Sequence, residues 1–187
     1  MPEFGFFLSS EEHGPRDLIE QAQLAEQHGV GKVWISDHFH PWLDSQGHSP
    51  FVWTTIGGIG ATTSLEVTTA VTCPTIRIHP VINAQAAATC AHLLNGRFRF
   101  GVGTGENLNE HVLGDHWPPA EVRLEMLAEA IDIMKELWKG DSVTRRGIHY
   151  TVENARIYTR PDEPIAVPMS AFGPKATEIA AQVADGF

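Results

Sequence analysis

Short apolar runs alternate with segments of helical periodicity along the whole 187-residue sequence. Each run is rich in β-branched or aromatic residues and is bounded by Gly, Pro or polar residues, which is typical of a buried strand. The predicted strands are residues 3–8, 32–36, 66–71, 97–102 and 165–170. Strands and helices that alternate in this way predict a parallel α/β sheet with right-handed crossovers.

The helices between these strands have recognisable first residues. Proline suits the first helical position, and it stands there at Pro15, Pro80 and Pro174. The clearest helix follows Pro118-Pro119 and keeps its apolar residues on one face. Residues 142–160 alternate in polarity between turn residues, which predicts a small hairpin-like excursion. We expect residues 1–187 to form a single domain.

Composition limits the classes of function. Hydrophobic residues make up 42% of the chain, which is typical of a globular protein, and the net charge of −10 argues against nucleic acid or a membrane surface as the main partner. Cys73 and Cys90 have no metal-type spacing and are predicted to be free thiols of a cytoplasmic protein. Neither a signal peptide nor a membrane-spanning run is recognised.

The unusual polar residues follow the strands. Parallel strands place their carboxyl ends at one edge, where barrels and doubly wound sheets hold their sites. The segments found there are Ser9–Glu12, Asp37-His38, Val71–Pro74, Gly103–Asn109 and Ser170–Gly173. This convergence predicts a site at that edge. Five strand–helix units suit either a whole flavodoxin-like sheet or an incomplete eight-fold barrel, which takes about 250 residues, and periodicity leaves both open.

The fourth predicted strand runs into glycines at every second position, which are Gly101, Gly103 and Gly105. Glycine lets a ligand or another backbone approach closely. A dinucleotide-binding fingerprint would need a third glycine where Glu106 stands, and a phosphate loop would need Gly-Lys-Ser/Thr. A strand-to-helix turn without a ligand is the alternative interpretation.

A second polar stretch, Asp37-His38-Phe39-His40-Pro41-Trp42, follows the second strand. Imidazole titrates near neutral pH and suits proton transfer. A metal site of Asp37, His38 and His40 with His48 is an alternative, but no zinc-type spacing supports it, so none is predicted. A capping aspartate beside surface histidines is the other alternative.

Four stretches together resemble one known group. They read SDHFHPW from Ser36, GHSPF from Gly47, TCPTIRIHP from Thr72 and GVGTGENLNE from Gly101. In this order they resemble the coenzyme F420-dependent glucose-6-phosphate dehydrogenase family, within the bacterial-luciferase-like superfamily. The resemblance runs from Gly5 to Phe187.

The resemblance implies a TIM-type (β/α)₈ barrel, of which this chain would be the first five βα units. It implies coenzyme F420, a 5-deazaflavin, and hydride transfer to it from a hydroxyl-bearing carbon of a sugar phosphate, such as glucose-6-phosphate, or of a related alcohol. An FMN-dependent luciferase-like monooxygenase and an inactive partial barrel are the alternatives. We expect a homodimer at full length, and we expect the 187-residue chain alone to be poorly soluble or oligomeric and inactive.

The resemblance also implies catalytic residues. His38 matches the histidine that takes the hydroxyl proton or stabilises developing charge. Trp42 matches the indole that lines the substrate pocket, and Glu106 matches the carboxyl that protonates the deazaflavin. Glu11 matches a second carboxylate near His38, with Glu12 as the alternative assignment.

Further positions match cofactor contacts in the family. They are Asp37, His38, Ala70, Val71, Cys73, Glu106, Asn109, Ser170, Ala171, Phe172 and Gly173. Two of them depart from the sugar-phosphate enzyme, because Ala70 replaces a Ser and Phe172 replaces a Gly that lets backbone approach the ligand. A non-proline cis bond is implied at Ala70-Val71.

This chemistry is consistent with the residue types. Hydride transfer belongs to the cofactor, and the protein manages two protons. Oxidation of the hydroxyl-bearing carbon releases a proton that His38 can accept, and the reduced deazaflavin gains one that Glu106 can supply. A carboxyl that acts as an acid near neutral pH needs a raised pKa, and we expect burial behind Gly103 and Gly105 to provide it.

Overall fold

The computed structural model describes residues 4–187 and has four parallel strands side by side in sequence order. They are β1 (Phe6–Leu8), β2 (Lys32–Ile35), β3 (Glu66–Thr69) and β4 (Phe98–Arg99). Val33 of β2 pairs with Phe6 on one side and with Val67 on the other. This order differs from the permuted order of a flavodoxin-like sheet. Glu3, which the first predicted strand included, lies outside the described residues.

The predicted fifth strand, residues 165–170, lies beside β4 only as isolated bridges. The N–H of Phe100 donates to the carbonyl of Ala166 and the N–H of Val102 to that of Pro168, both at 2.9 Å. The next rung of a parallel ladder would need an N–H at position 168, which proline lacks. β4 is therefore shorter than the predicted strand 97–102, and residues 165–170 form isolated bridges in place of a continuous strand.

The third strand also ends earlier than predicted, at Thr69 rather than at residue 71. The peptide bond between Ala70 and Val71 is cis, as the resemblance implied. Pairing resumes at Thr72, whose N–H donates to Gly101 and whose carbonyl accepts from Gly103, both at 2.9 Å. The segment between Thr69 and Thr72 therefore leaves the sheet at its carboxyl edge.

The predicted helices at Pro15, Pro80 and Pro174 and the one after Pro118-Pro119 are confirmed. The helices of the structure are α1 (Pro15–Gln27), α2 (Val52–Thr62), α3 (Pro80–Leu93), α4 (Asn107–Glu110), α5 (Ala120–Trp138) and α6 (Pro174–Val183), with 3₁₀ turns at Asp44–Gln46 and His111–Leu113. The hairpin-like excursion is confirmed, because β5 (Val143–Arg146) pairs antiparallel with β6 (Thr151–Ala155).

The helices pack on the sheet around a core in which aromatic rings are prominent. The rings of Trp53 and Phe100 are 5.3 Å apart between centroids, and the Trp138 indole N–H donates to the Ala84 carbonyl at 2.9 Å. Both cysteines are buried free thiols, as predicted. Among residues 4–187 the structure has no helix long and apolar enough to cross a membrane. The apolar core holds the strands in place, and the polar residues lie at the carboxyl ends of the strands.

Candidate functional site

The loops after β1 and β2 bring an acid and a histidine together. His38 Nδ1 lies 2.6 Å from Glu11 Oε1, and both side chains are largely buried. Glu12 is exposed. Of the two neighbouring glutamates, Glu11 is therefore the one that contacts His38.

Serine hydroxyls hold the other oxygen of Glu11. Ser36 Oγ donates to Glu11 Oε2 at 2.9 Å and Ser9 Oγ donates to it at 3.1 Å. Ser36 Oγ in turn accepts from the N–H of Ser10 at 2.9 Å. Burial acts to raise the pKa of Glu11, but hydrogen bonds from His38, the backbone and Ser36 outweigh it and lower the pKa to about 2. Glu11 is therefore an ionised carboxylate with a fixed orientation.

The second nitrogen of His38 faces the other predicted residues. His38 Nε2 lies 3.7 Å from Glu106 Oε2, and the Trp42 ring stands edge-on with centroids 5.1 Å apart. Burial acts to lower the pKa of His38, but the hydrogen bond with Glu11 and the charges of Glu11, Glu106 and Asp37 raise it overall. The structure thus gathers all four residues predicted to be catalytic.

The predicted burial of Glu106 is wrong, because its side chain is 47% exposed. Glu106 immediately precedes α4 and makes no side-chain capping bond to that helix. Neighbouring side chains occupy the space beside the two glycines that precede it. A Cβ at Gly103 would lie 2.6 Å from Val71 Cγ2, and one at Gly105 would lie 2.6 Å from Cys73 Sγ. The close approach that these glycines allow is made by neighbouring strand ends, and Glu106 lies at the rim.

A cavity of about 330 Å³ opens beside Glu106. It is lined by Val71, Gly103, Thr104, Gly105, Glu106, Ala120, Leu124, Ser170, Phe172, Gly173 and Ala176. Five predicted cofactor contacts therefore meet here. The other six do not line this cavity, and they are Asp37, His38, Ala70, Cys73, Asn109 and Ala171. The Phe172 ring is fully exposed at its edge.

Two predicted cofactor contacts lie deeper and keep an unpaired polar atom. Asn109 Oδ1 accepts from the N–H groups of Phe39 and His40 at 2.8 and 2.9 Å, but its Nδ2 is buried without a hydrogen-bond partner. Asp37 Oδ1 accepts from Arg77 Nη2 at 3.0 Å, but Oδ2 is buried without one. Buried polar atoms normally have partners, so Asp37 Oδ2 and Asn109 Nδ2 are exceptions within the predicted cofactor contacts, although neither residue lines the cavity.

Sequence reasoning missed Arg77 and Glu110. Their side chains are only 8% and 2% exposed, and the backbone N–H of Arg77 donates to Glu110 Oε2 at 3.0 Å. Burial raises the pKa of Glu110, which the bond and charge of Arg77 only partly offset. The available signal was that Arg77 is the one Lys or Arg of segment 72–80.

The alternative metal site has no support in the structure. Among residues 4–187 no cluster of three or more His, Cys, Asp or Glu side chains is placed to hold a metal ion. His40 Nδ1 lies 3.1 Å from the Leu108 carbonyl, to which it donates, and is thereby engaged.

Comparison with known proteins identifies the family of this chain. The family model of the luciferase-like monooxygenases matches residues 2–187. The chain belongs to this family. Two curated relatives, each named F420-dependent glucose-6-phosphate dehydrogenase, come from Nakamurella multipartita and Microbacterium testaceum. They are 44% and 43% identical over 185 residues, which are 98% of this chain and 55% of each relative.

These relatives confirm the resemblance seen in the sequence of this luciferase-like chain, which spans about half of their length. A solved F420-dependent secondary alcohol dehydrogenase, in complex with an F420-acetone adduct, is 39% identical. It superposes with a TM-score of 0.93 over 98% of this chain and 56% of that one. The luciferase-like α/β fold is therefore shared along almost the whole chain.

Proposed function

We propose that this chain carries the hydride-transfer site of an F420-dependent dehydrogenase that acts on a sugar phosphate, such as glucose-6-phosphate, or on a related alcohol. The observation that carries the proposal is the His38–Glu11 pair, whose free nitrogen faces Glu106 beside a cavity at the strand ends. The names of similar relatives, and the F420 adduct in a similar dehydrogenase, support the choice of cofactor and reaction.

The residues present fit a deazaflavin. The cavity has apolar side chains from Val71 and Leu124, and a Cβ at Gly173 would meet nothing within 4 Å, so backbone is open to a flat ring at that point. Asp37 keeps an unpaired acceptor and Asn109 an unpaired donor, which match the N–H and C=O groups that such a ring carries. When bound there, F420 would supply the chemistry of accepting a hydride from the substrate carbon.

The side chains of this chain manage the protons. Because Glu11 accepts from Nδ1 of His38, Nε2 is the basic atom, and it takes the proton that the substrate hydroxyl loses as its carbon becomes a carbonyl. Glu106 is placed beside both that nitrogen and the cavity, where a bound ligand would cover its exposed carboxyl, as a proton donor near neutral pH requires. The half-exposed Trp42 ring stands edge-on to His38, where it would contact a substrate bound beside that histidine.

We also propose that the described strands are five consecutive units of an eight-unit barrel. Their sequence order supports this, as does the start of pairing at the next segment, where the N–H of Asp185 donates to the Val167 carbonyl at 3.0 Å. Phe4 and Phe7, at the outer edge of β1, are 81% and 51% exposed. An open arc of this kind recruits partners, so we expect the chain alone to associate and to lack turnover. A homodimer of the full-length enzyme stays a prediction, which sedimentation would test.

Two measurements test the proposed function. The first is a fluorescence titration of the purified chain with F420 and with FMN, in which F420 is expected to bind more tightly. The second uses a completed chimera, in which the C-terminal part of the Nakamurella multipartita relative follows this chain. The chimera is expected to reduce F420 with glucose-6-phosphate or a secondary alcohol. Preference for FMN, without F420 reduction by any of these substrates, would contradict the proposal.

A further inference from the structure

We propose that Arg77 is a positioning residue that sets the distance between His38 and Glu106, the two proton-handling groups of the proposed function on which this inference rests. Arg77 touches neither group. It binds instead the acidic residue next to His38 and the acidic residue at the end of the helix that Glu106 precedes. We name Asp37, Arg77 and Glu110 the Arg77 triad.

The triad joins separate segments of the chain. Arg77 lies between β3 and α3, and its Nη2 donates to Asp37 Oδ1 at 3.0 Å, directly before His38. Its backbone N–H donates to Glu110 Oε2 at 3.0 Å, and its Nε lies 3.6 Å from Glu110 Oε1. Glu110 is the last residue of α4, which begins directly after Glu106. One residue therefore links both sides of the site.

The three side chains of the triad are buried, so the loss of one charge leaves the others without compensation. The side chains of Asp37, Arg77 and Glu110 are 1%, 8% and 2% exposed, so each charge depends on its partners. Two buried carboxylates without the cation between them would repel each other and move α4 away from the loop after β2. Nη2 of the rigid guanidinium bonds Asp37, while the backbone N–H of Arg77 and the guanidinium charge hold Glu110, and an ammonium cannot reproduce this geometry.

A second, neutral contact joins the same two segments at another point. Asn109 of α4 accepts from the N–H groups of Phe39 and His40, which follow His38. Arg77 constrains the residue before His38, and Asn109 constrains the residues after it. These two contacts lie on either side of His38 in the chain. Loss of the Arg77–Asp37 bond would therefore let the His38 ring shift relative to α4, while Asn109 still holds the loop after β2.

The coupling of His38 to Glu106 is the test, since a merely structural residue would not alter it. The ionisable groups that face His38 are Glu11 from the loop after β1, Asp37 beside it and Glu106 before α4. The pKa of His38 would be measured by NMR titration of the completed chimera without cofactor, with the resonance assigned from H38Q. Glu106→Gln should lower this pKa in the otherwise unchanged chimera, because it removes a negative charge.

In the Arg77→Lys background the same Glu106→Gln change should move the His38 pKa much less, because Lys keeps the backbone bond to Glu110 but loses the guanidinium bond to Asp37 that sets the distance. An equal shift in both backgrounds would overturn the proposal. Arg97→Lys is the matched control, because Arg97 donates to the Leu65 carbonyl at 2.6 Å at the other end of the strands. It should leave the coupling intact, and loss of the coupling in this control as well would also overturn the proposal.

A second variant guards against misfolding of Arg77→Lys. The triple change of Asp37→Asn, Arg77→Met and Glu110→Gln keeps the volume of the triad and removes its charges. The Glu106→Gln shift should be much smaller there too, and its persistence at full size would count against Arg77. The titration uses no F420, so its result is independent of cofactor binding. If Arg77 is needed for the coupling of His38 to Glu106 but F420 does not bind, only the proposed function is refuted.

Discussion

The two sides of the proposed site are built differently. On the acceptor side, formed by the loops after β1 and β2, Glu11 and Ser36 are buried and His38 is fixed by a 2.6 Å bond. On the open side, formed by the residues after β4 and around residue 172, Glu106 is 47% exposed and Phe172 is fully exposed. A network with satisfied bonds preorganises a proton acceptor, whereas exposed side chains with few bonds are free to adjust to a ligand.

The largest effect is expected from the acceptor side, at His38, whose Nε2 faces Glu106 at the rim of the cavity. His38→Ala in the completed chimera should lower turnover about 10²–10⁴-fold, because it removes the proton acceptor. The F420 affinity should change little, since the ring is held by other residues. Steady-state kinetics and fluorescence titration would check this, and a parallel loss of F420 affinity would contradict it.

Glu106→Gln tests the open side at the same order of magnitude. The change keeps the shape and removes the transferable proton, so turnover should fall about 10²–10⁴-fold with unchanged cofactor affinity. The unfolding temperature should not change, because Glu106 makes no capping bond to α4. A helix cap contributes about 1 kcal/mol, so a lower unfolding temperature with normal turnover would show that Glu106 is only structural.

Local patterns explain why most of the fold was predictable. The strand–helix alternation depends on periodicity and on turn residues, both of which are read from short windows. The break in the ladder beside β4 was also within reach, because Pro168 visibly lacks an N–H. The convergence of polar residues at one edge follows from parallel topology alone.

The site was less predictable where packing between distant segments determines which side chains are buried and which of them pair. Glu106 and Glu110 border the same short helix, yet Glu106 is exposed and Glu110 is buried, because the buried Arg77 pairs with Glu110. The bond between Arg77 and Asp37 joins residues 40 positions apart, which no local pattern reveals. The resemblance supplied Glu11, but only the fold distinguishes it from the exposed Glu12.

Glu11→Gln should lower the free energy of unfolding by about 1–3 kcal/mol, because charged hydrogen bonds on the acceptor side are lost. The pKa of Glu11 is lowered from 4.5 to about 2, so its stabilisation is present above pH 4.5 and lost as the pH falls toward 2. The pKa of His38 is raised from 6.5, so its stabilisation is present below pH 6.5 and lost as the pH rises through the folded value.

The loss of stability caused by Glu11→Gln should therefore be largest between pH 4.5 and 6.5, where both groups are charged. Unfolding of the chimera across pH would measure it. Glu12→Gln is the matched control and should change stability by less than about 0.5 kcal/mol, because Glu12 is exposed. A pH-independent loss would contradict the ion pair.

The smallest effect is expected at Phe172, where sequence and structure suggest opposite outcomes. The sequence placed a ring where backbone should approach the ligand, so removing it would tighten F420 binding. The structure leaves a cavity of about 330 Å³ with the ring exposed at its edge, so a bound ligand can cover the ring instead. Partial burial of the ring is worth about 1 kcal/mol, so Phe172→Ala should weaken F420 binding about fivefold.

Stability should be unchanged within about 0.5 kcal/mol, since the ring has no packing to lose. Ile148→Ala is the control, because Ile148 is 88% exposed at the hairpin and should alter neither quantity. Titration of both variants with F420 decides the question. Tighter binding by Phe172→Ala would show that the ring obstructs the open side, and weaker binding would show that the ligand itself completes that side by covering it.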